Sequence, residues 1–327
     1  MLIIFLYISI ISLSLIFIQS KYFILVDTPS KQRHKSTYNK NTPLTGGVYL
    51  FITLTTYILH VGYSDHSFLI IAFLFSLLIL GIFSDLKTSF SPKLRLLLQS
   101  ILIFFFIYFL ELKINKTDLF FLDYFISNSI FNLFFTSTCI IILINGSNFC
   151  DGVNCNVIGY YLIVALAIHF VDLPKSLDFP DIKTIIIIFF LFYLVNLFQK
   201  SFLGDNGVYV IAAFMAIYVI NFINLNATVS PFLALNLLWY PAFENLFTII
   251  RRLNANKTVD AADGLHFHTL LLKKIFYFNK KFILSNSITG MLLNLFMFLG
   301  IFLSINYYNK EKVLMLILMV NIIIYVL

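Results

Sequence analysis

The sequence predicts an all-α polytopic membrane protein, a helical bundle of about 10–11 spans. Three observations carry that expectation. First, 60% of the 327 residues are hydrophobic and only 11% are charged, whereas a soluble domain has about a quarter of its residues charged. Second, the apolar runs are continuous rather than alternating, which excludes a transmembrane barrel and leaves helices as the spanning structure. Third, hydrophobicity recurs along the whole chain instead of being confined to one N-terminal run, so a secreted protein with a cleaved leader is excluded.

With about 20 apolar residues needed per crossing, spans are expected near 2–20, 45–63, 67–83, 96–111, 128–145, 157–172, 182–198, 207–224, 230–250, 283–304 and 313–327. All but six of the 22 Lys and Arg fall in alternate connections, namely 21–44, 84–95, 199–206 and 251–282. The six exceptions are Lys113, Lys116, Lys175, Lys183, Lys310 and Lys312. By the positive-inside rule the basic connections face the cytoplasm, with the N-terminus outside and the C-terminus inside. The net charge of +7 is therefore a topological signal and no indication of nucleic acid. Residues 1–327 read as a single integral-membrane domain. Cys139, Cys150 and Cys155 are too few for a disulfide framework and read as space-fillers.

The cytoplasmic side also collects the chain's polar motifs. The first connection ends in Lys40-Asn41-Thr42-Pro43-Leu44-Thr45-Gly46-Gly47. Paired glycines opening a helix let backbone amides approach an anion, and the plain alternative is a basic anchor with a flexible turn. Asp85 ends the third span in Ser84-Asp85-Leu86-Lys87. A charge at membrane depth is a functional candidate, unless Asp85 is interfacial and paired with Lys87. Gln99 reads as a satisfied polar core residue.

After 128–145 comes Asn145-Gly146-Ser147-Asn148-Phe149-Cys150-Asp151-Gly152. On a continuing helix, the spacing of Asn145, Asn148 and Asp151 puts all three on one face. The simpler reading is a polar terminus with Gly152 as its cap. Gly204-Asp205-Asn206-Gly207 again sets a carboxylate between glycines, a pattern that a bare turn would also use. Last come Glu244, Arg251-Arg252 and Asp263-Gly264-Leu265-His266-Phe267-His268-Thr269. A strand-like H-x-H suggests zinc but lacks further ligands; the other reading is a polar lid over phosphates. His34, His60, His66 and His169 read as incidental.

Carboxylates from three connections suit a hard cation such as Mg2+ completed by substrate phosphates, and Arg and Lys suit phosphate oxygens. In a membrane, that combination points to phosphoryl transfer between a cytosolic donor and a lipid. The ordered set D-T-P…T-P-L-T-G-G, S-D-L-K…S-P-K-L-R-L-L-L-Q, N-x-x-N-x-x-D-G, F-L-G-D-N-G and R-R-L…D-x-x-H-x-H resembles the polyprenyl-phosphate N-acetylhexosamine-1-phosphate transferases, bacterial glycosyltransferase family 4. The likeness runs through essentially the whole chain.

That resemblance implies transfer of a sugar-1-phosphate from a UDP-N-acetylhexosamine to undecaprenyl phosphate, with UMP released and Mg2+ or Mn2+ as cofactor. It implies a multi-pass protein of the bacterial cytoplasmic membrane that starts a lipid-linked cell-envelope glycan, and a homodimer is compatible with it. Asp205 would hold the metal with Asp151, and Asn145 and Asn148 would line the nucleotide-diphosphate site. Asp85, Asp151, His266 and His268 would be catalytic. Lys40, Gly46, Gly47, Arg251, Arg252 and Asp263 would bind substrate.

The chain departs from the family pattern at Ser84 (usually Asp), Glu244 (usually Asp), Asn154-Cys155 (usually Asp-Gly), Gly264 (usually Arg) and Thr269 (usually His). The H-x-H lid is nearer the N-acetylglucosamine-type branch than the muramoyl-pentapeptide branch of peptidoglycan synthesis. A polyprenyl-lipid transporter would carry its charges at the midplane, and a paralogue that binds without turnover is the remaining alternative.

Overall fold

The structure is a computed structural model; it describes residue 10 and residues 26–27, 42–61, 65–86, 91–171, 181–256, 264–279 and 281–327. The expected span 2–20 lies, apart from Ile10, outside the described residues, as do Lys40 and Asp263. Among the described residues there are twelve helices: α1 (Gly46–Val61), α2 (Asp65–Leu86), α3 (Pro92–Phe109), α4 (Phe120–Ile126), α5 (Ser129–Cys150), α6 (Asn156–Phe170), α7 (Ile182–Leu197), α8 (Gly204–Leu225), α9 (Pro231–Asn254), α10 (Phe267–Asn279), α11 (Phe282–Asn306) and α12 (Glu311–Val326). The protein is an all-α polytopic membrane bundle. Among the described residues six helices are long and apolar enough to cross a bilayer: α2, α3, α5, α8, α9 and α11. The shorter α1, α6, α7 and α12 occupy the other expected spans.

Local chemistry sets the helix ends. Ser91 caps α3, its Oγ accepting from Leu94 N at 3.2 Å, and Pro92 opens the first turn, where a missing N–H costs nothing. Asn128 caps α5 by accepting from the amides of Ile130 and Phe131. Ser230 and Pro231 repeat the Ser-Pro start at α9.

Two sequence-level boundaries move. The helix of span 128–145 continues to Cys150, so Asn145 and Asn148 stand on a helix, one turn apart. His268 lies in the first turn of α10, which replaces the expected strand-like H-x-H with a helix start.

The core is organised around α8, whose residues Asn206 to Val219 are all buried. It packs against α1, α2, α5, α6 and α9, and a helix enclosed on all sides is apolar all round. Outside this core, α9 packs on α5, α11 and α12, and α3 lies on α2 and α5. A two-residue antiparallel pair, β1 (Val26–Asp27) with β2 (Thr42–Pro43), brings the first connection back to α1, with Val26 opposite Pro43.

Pro241 interrupts α9. Having no N–H, it leaves the carbonyl four residues earlier without its helical partner. The Tyr160 hydroxyl of α6 donates to that Leu237 oxygen at 2.7 Å. In a bilayer-level core an unmet carbonyl costs several kcal/mol, so the tyrosine supplies what the proline removes.

At Gly47, α1 approaches α8 closely. Its N–H donates to Asn206 Oδ1 at 2.9 Å, and a Cβ there would lie 2.2 Å from that oxygen. Gly47→Ala should therefore cost about 1–3 kcal/mol by overpacking, read as a lower unfolding temperature of the detergent-purified protein; an unchanged temperature would contradict the close approach.

Candidate active site

The start of α8 is held from outside its own strand of chain. Gly204 has φ +68°, a conformation that favours glycine, and no side chain of the preceding residue caps the helix. The cap comes from α2. Asp85 Oδ1 accepts from Asp205 N at 3.0 Å, and Oδ2 accepts from Asn206 N at 3.1 Å and from Asn206 Nδ2 at 2.5 Å. A carboxylate facing the orphan amides of a helix N-terminus is favourable through both the hydrogen bonds and the dipole. Asn206 Nδ2 also donates to Leu44 O at 3.1 Å, so one asparagine ties α1, α2 and α8 together.

This arrangement turns the Asp205 side chain toward α3 and α5. Its Oδ1 accepts from Asn148 Nδ2 at 2.6 Å. Its Oδ2 accepts from Ser84 Oγ at 2.5 Å, Arg95 Nη1 at 2.9 Å and Tyr209 OH at 3.3 Å. Arg95 Nη1 lies 3.2 Å from Ser84 Oγ as well. Arg95 thus ion-pairs with the acid that the sequence marks for a metal.

A second cluster gathers at the ends of α9, α10 and α12. Glu244 is fully buried. His266 Nδ1 lies 2.8 Å from its Oε1, the Tyr325 hydroxyl donates to its Oε2, and Thr248 Oγ1 donates to Oε1 at 3.4 Å. The His266 and His268 rings stack at 5.6 Å with 5° between planes. His268 lies against Gly152, where a Cβ would meet its Nε2 at 1.9 Å. Phe149 joins the group, 5.5 Å from the His266 ring and 5.2 Å from the Arg252 guanidinium.

The two clusters meet on the last turns of α5, where adjacent residues serve one each: Asn148 binds Asp205 and Phe149 touches His266. Asn145, one turn earlier, donates to Gln99 Oε1 at 3.3 Å and to Ile141 O at 2.9 Å. Asp151 stands at the C-cap of α5. Arg251 donates to Leu265 O at 2.9 Å and lies over Phe247, bracing the chain just before His266.

Two sequence-based expectations need correction. The amides of Gly46 and Gly47 were expected to face an anion; they donate to Phe202 O at 3.2 Å and to Asn206 Oδ1, because Gly46 is buried against Phe192 and Leu203 and Gly47 against Asn206. Asp85, Asp151 and Asp205 were expected to converge on one ion. Among the described residues no group of three His, Cys, Asp or Glu gathers as a metal site, since the Asp85 carboxylate faces the α8 amides.

Sequence reasoning missed Arg95, Tyr209 and Tyr325. Arg95 carried a signal, its place in S-P-K-L-R one turn from the Asp85 loop; Tyr209 is four residues after Asp205 on the same helix. Nothing in the terminal apolar run marked Tyr325.

Asn154 and Cys155 do structural work. Asn154 N donates to Asn286 Oδ1 at 2.7 Å, and Cys155, at φ +64°, donates its N–H to Asn196 Oδ1 at 2.6 Å.

Residues 67–223 match the family model described as Glycosyl transferase family 4. No curated protein matches the chain significantly. The matched stretch contains Ser84, Asp85, Arg95, Asn148, Asp151 and Asp205, and it supports a multi-pass membrane transferase. Over these residues, which carry the whole Asp205 cluster, the chain is similar to glycosyl transferase family 4.

Proposed function

We propose that the protein transfers N-acetylhexosamine-1-phosphate from a UDP-sugar to undecaprenyl phosphate, at the inner face of a bacterial cytoplasmic membrane, and so starts a lipid-linked envelope glycan. The observation that carries this reading is the Asp205 carboxylate at the start of a buried helix, flanked by Asn148, Ser84 and Arg95. Carboxylate, amide and guanidinium are the groups that position phosphates and their cations.

A divalent ion fits this set as a one-carboxylate site rather than an all-protein cage. Asp205 Oδ1 carries a single hydrogen bond among those described above, and Mg2+ is commonly held by one or two carboxylates with substrate phosphates and water. Bound there, Mg2+ or Mn2+ would neutralise charge on the donor diphosphate.

The remaining work falls to the chain. Asn148 and Asn145 line the diphosphate side of α5. Arg95, paired with Asp205, offers its guanidinium to a phosphoryl oxygen. Asp85 acts by positioning, through the α8 amides. An oxygen of the acceptor phosphate attacks the β-phosphorus of the UDP-sugar; the new P–O bond forms as the bond to the α-phosphate oxygen breaks, and UMP leaves. Asp151 accepts a proton when the acceptor arrives as the monoanion. His266 and His268, with Arg252 beside Phe149, close the diphosphate from the opposite side. Lys40 and Asp263, outside the described residues, retain their substrate-binding roles in this proposal.

Membranes containing the protein, given radiolabelled UDP-N-acetylglucosamine, Mg2+ and undecaprenyl phosphate, should yield organic-extractable label with release of UMP. Asp205→Asn should lower that yield at least about 100-fold, on the scale of losing a charge-stabilising group, while the protein still inserts. Wild-type turnover in that variant would remove Asp205 from the metal role.

A second reading, donor binding without turnover, is favoured by one observation, the Arg95–Asp205 ion pair beside Ser84. The wild type separates the two, since donor bound with no lipid-linked product would mean binding without turnover, and Ser84→Asp then reads how a live site uses the serine. Equal or higher lipid-linked product is expected from a live site, and complete loss would mean that the site has been rebuilt around the serine.

A further inference from the structure

We infer that Tyr325, on the last helix, and Glu244 form a relay that positions the His266 imidazole for the donor diphosphate; this deepens the transferase reading and rests on it. Glu244 is a carboxylate with no exposed surface, and a buried acid is tolerated where hydrogen bonds answer it. Here the answering groups come from three places in the chain. Thr248 is one turn along α9, His266 precedes α10, and Tyr325 stands two residues before the end of the chain.

The geometry has a direction. An imidazole whose Nδ1–H is donated to a carboxylate has its tautomer and its ring plane set, and its Nε2 edge becomes the reacting edge. His266 meets that condition through the 2.8 Å contact with Glu244 Oε1. The ring is further constrained by Phe149 and by the near-parallel His268 ring, which rests on Gly152. A rotation of His266 would therefore be felt at the α5 end, where Asn148 holds Asp205.

Tyr325 holds the other oxygen of the acid. Its ring is 7% exposed and is packed among Trp239, Tyr240, Phe243, Phe247 and Phe267, with the nearest ring centroid, that of Phe267, at 5.1 Å. Phe267 sits between the two lid histidines in sequence. The C-terminal helix thus reaches the lid twice, by a hydroxyl on Glu244 and by a ring against Phe267. Neither His-to-Glu nor Glu-to-Tyr pairing is visible in a motif, because the residues are 22 and 81 positions apart.

Tyr325→Phe tests the inference while keeping the ring and its packing. In purified full-length protein assayed with UDP-N-acetylglucosamine and undecaprenyl phosphate, kcat should fall about tenfold, the scale for losing an outer partner of a site histidine. The donor KM should stay within about twofold, as when an interaction of the transition state alone is lost. Glu244→Gln should act in the same direction. In a His266→Gln background Tyr325→Phe should add nothing, since coupled residues are non-additive. An unchanged kcat, or the same loss with and without His266, would overturn the relay and leave Tyr325 a packing residue.

The side-chain 15N signals of His266, assigned by their loss in His266→Gln, read the ring without turnover. Nδ1 should be protonated in the wild type and lose that preference in Glu244→Gln; identical spectra would refute the relay. A wild type that fails to use any UDP-sugar but shows the expected ring state would refute the transferase reading alone.

Discussion

The capping of α8 by Asp85 is the interaction on which the rest of the site depends. A helix start leaves amides without partners, and at the largely buried start of α8 they need a protein partner. In this chain the answer is an acid from another helix, 120 residues away, binding the amides of Asp205 and Asn206 together with the Asn206 side chain. The consequence is a fixed relation between α2, α1 and α8. Gly204 at positive φ and Gly47 at van der Waals limits are the backbone conditions that allow it. Only with α8 so held does the Asp205 carboxylate meet Asn148 of α5 and Arg95 of α3.

Seen from α5, the site has two halves that share one helix end. Asn148 serves the acid and Phe149, the next residue, serves the histidines. Successive helical positions differ by about 100°, so neighbouring residues on a helix end can face two different clusters. A phosphate-bearing molecule bridging them would have a carboxylate and guanidinium on one side and imidazoles on the other, a charge distribution suited to a diphosphate and its cation. The Pro241–Tyr160 arrangement keeps α9 packed on α5 despite the missing amide, and so keeps Glu244 and Arg252 within reach.

Much of this was legible in the sequence, and the unread part has a physical cause. Hydropathy located ten of the expected spans on helices, because a span must be apolar and must satisfy its own backbone. Asp85, Asn148 and Asp205, beside span ends, were visible because a charge or amide there is costly, and His266 because it stands in the H-x-H of a basic connection. What hydropathy could not assign was which way each side chain turns. Asp85 looks like a catalytic acid from its position, yet its carboxylate faces amides that only the folded α8 supplies. Arg95 reads as one more positive charge at a membrane face until Asp205 is brought to it. Tyr325 reads as an apolar tail residue, since a hydroxyl gives no sequence signal of its partner. The helical H-x-H is a boundary error: the polar Asp263-Gly264 step hid the start of α10.

The most direct test of the central claim is a double-mutant cycle on the cap, with Asp85→Asn, Asn206→Ala and the pair, measured by thermal unfolding in detergent. Groups in one hydrogen-bonded network couple, and a coupling energy of at least about 1 kcal/mol is the predicted result. Simple additivity of the two single variants would contradict the account, for then Asp85 would not be what holds α8 and presents Asp205.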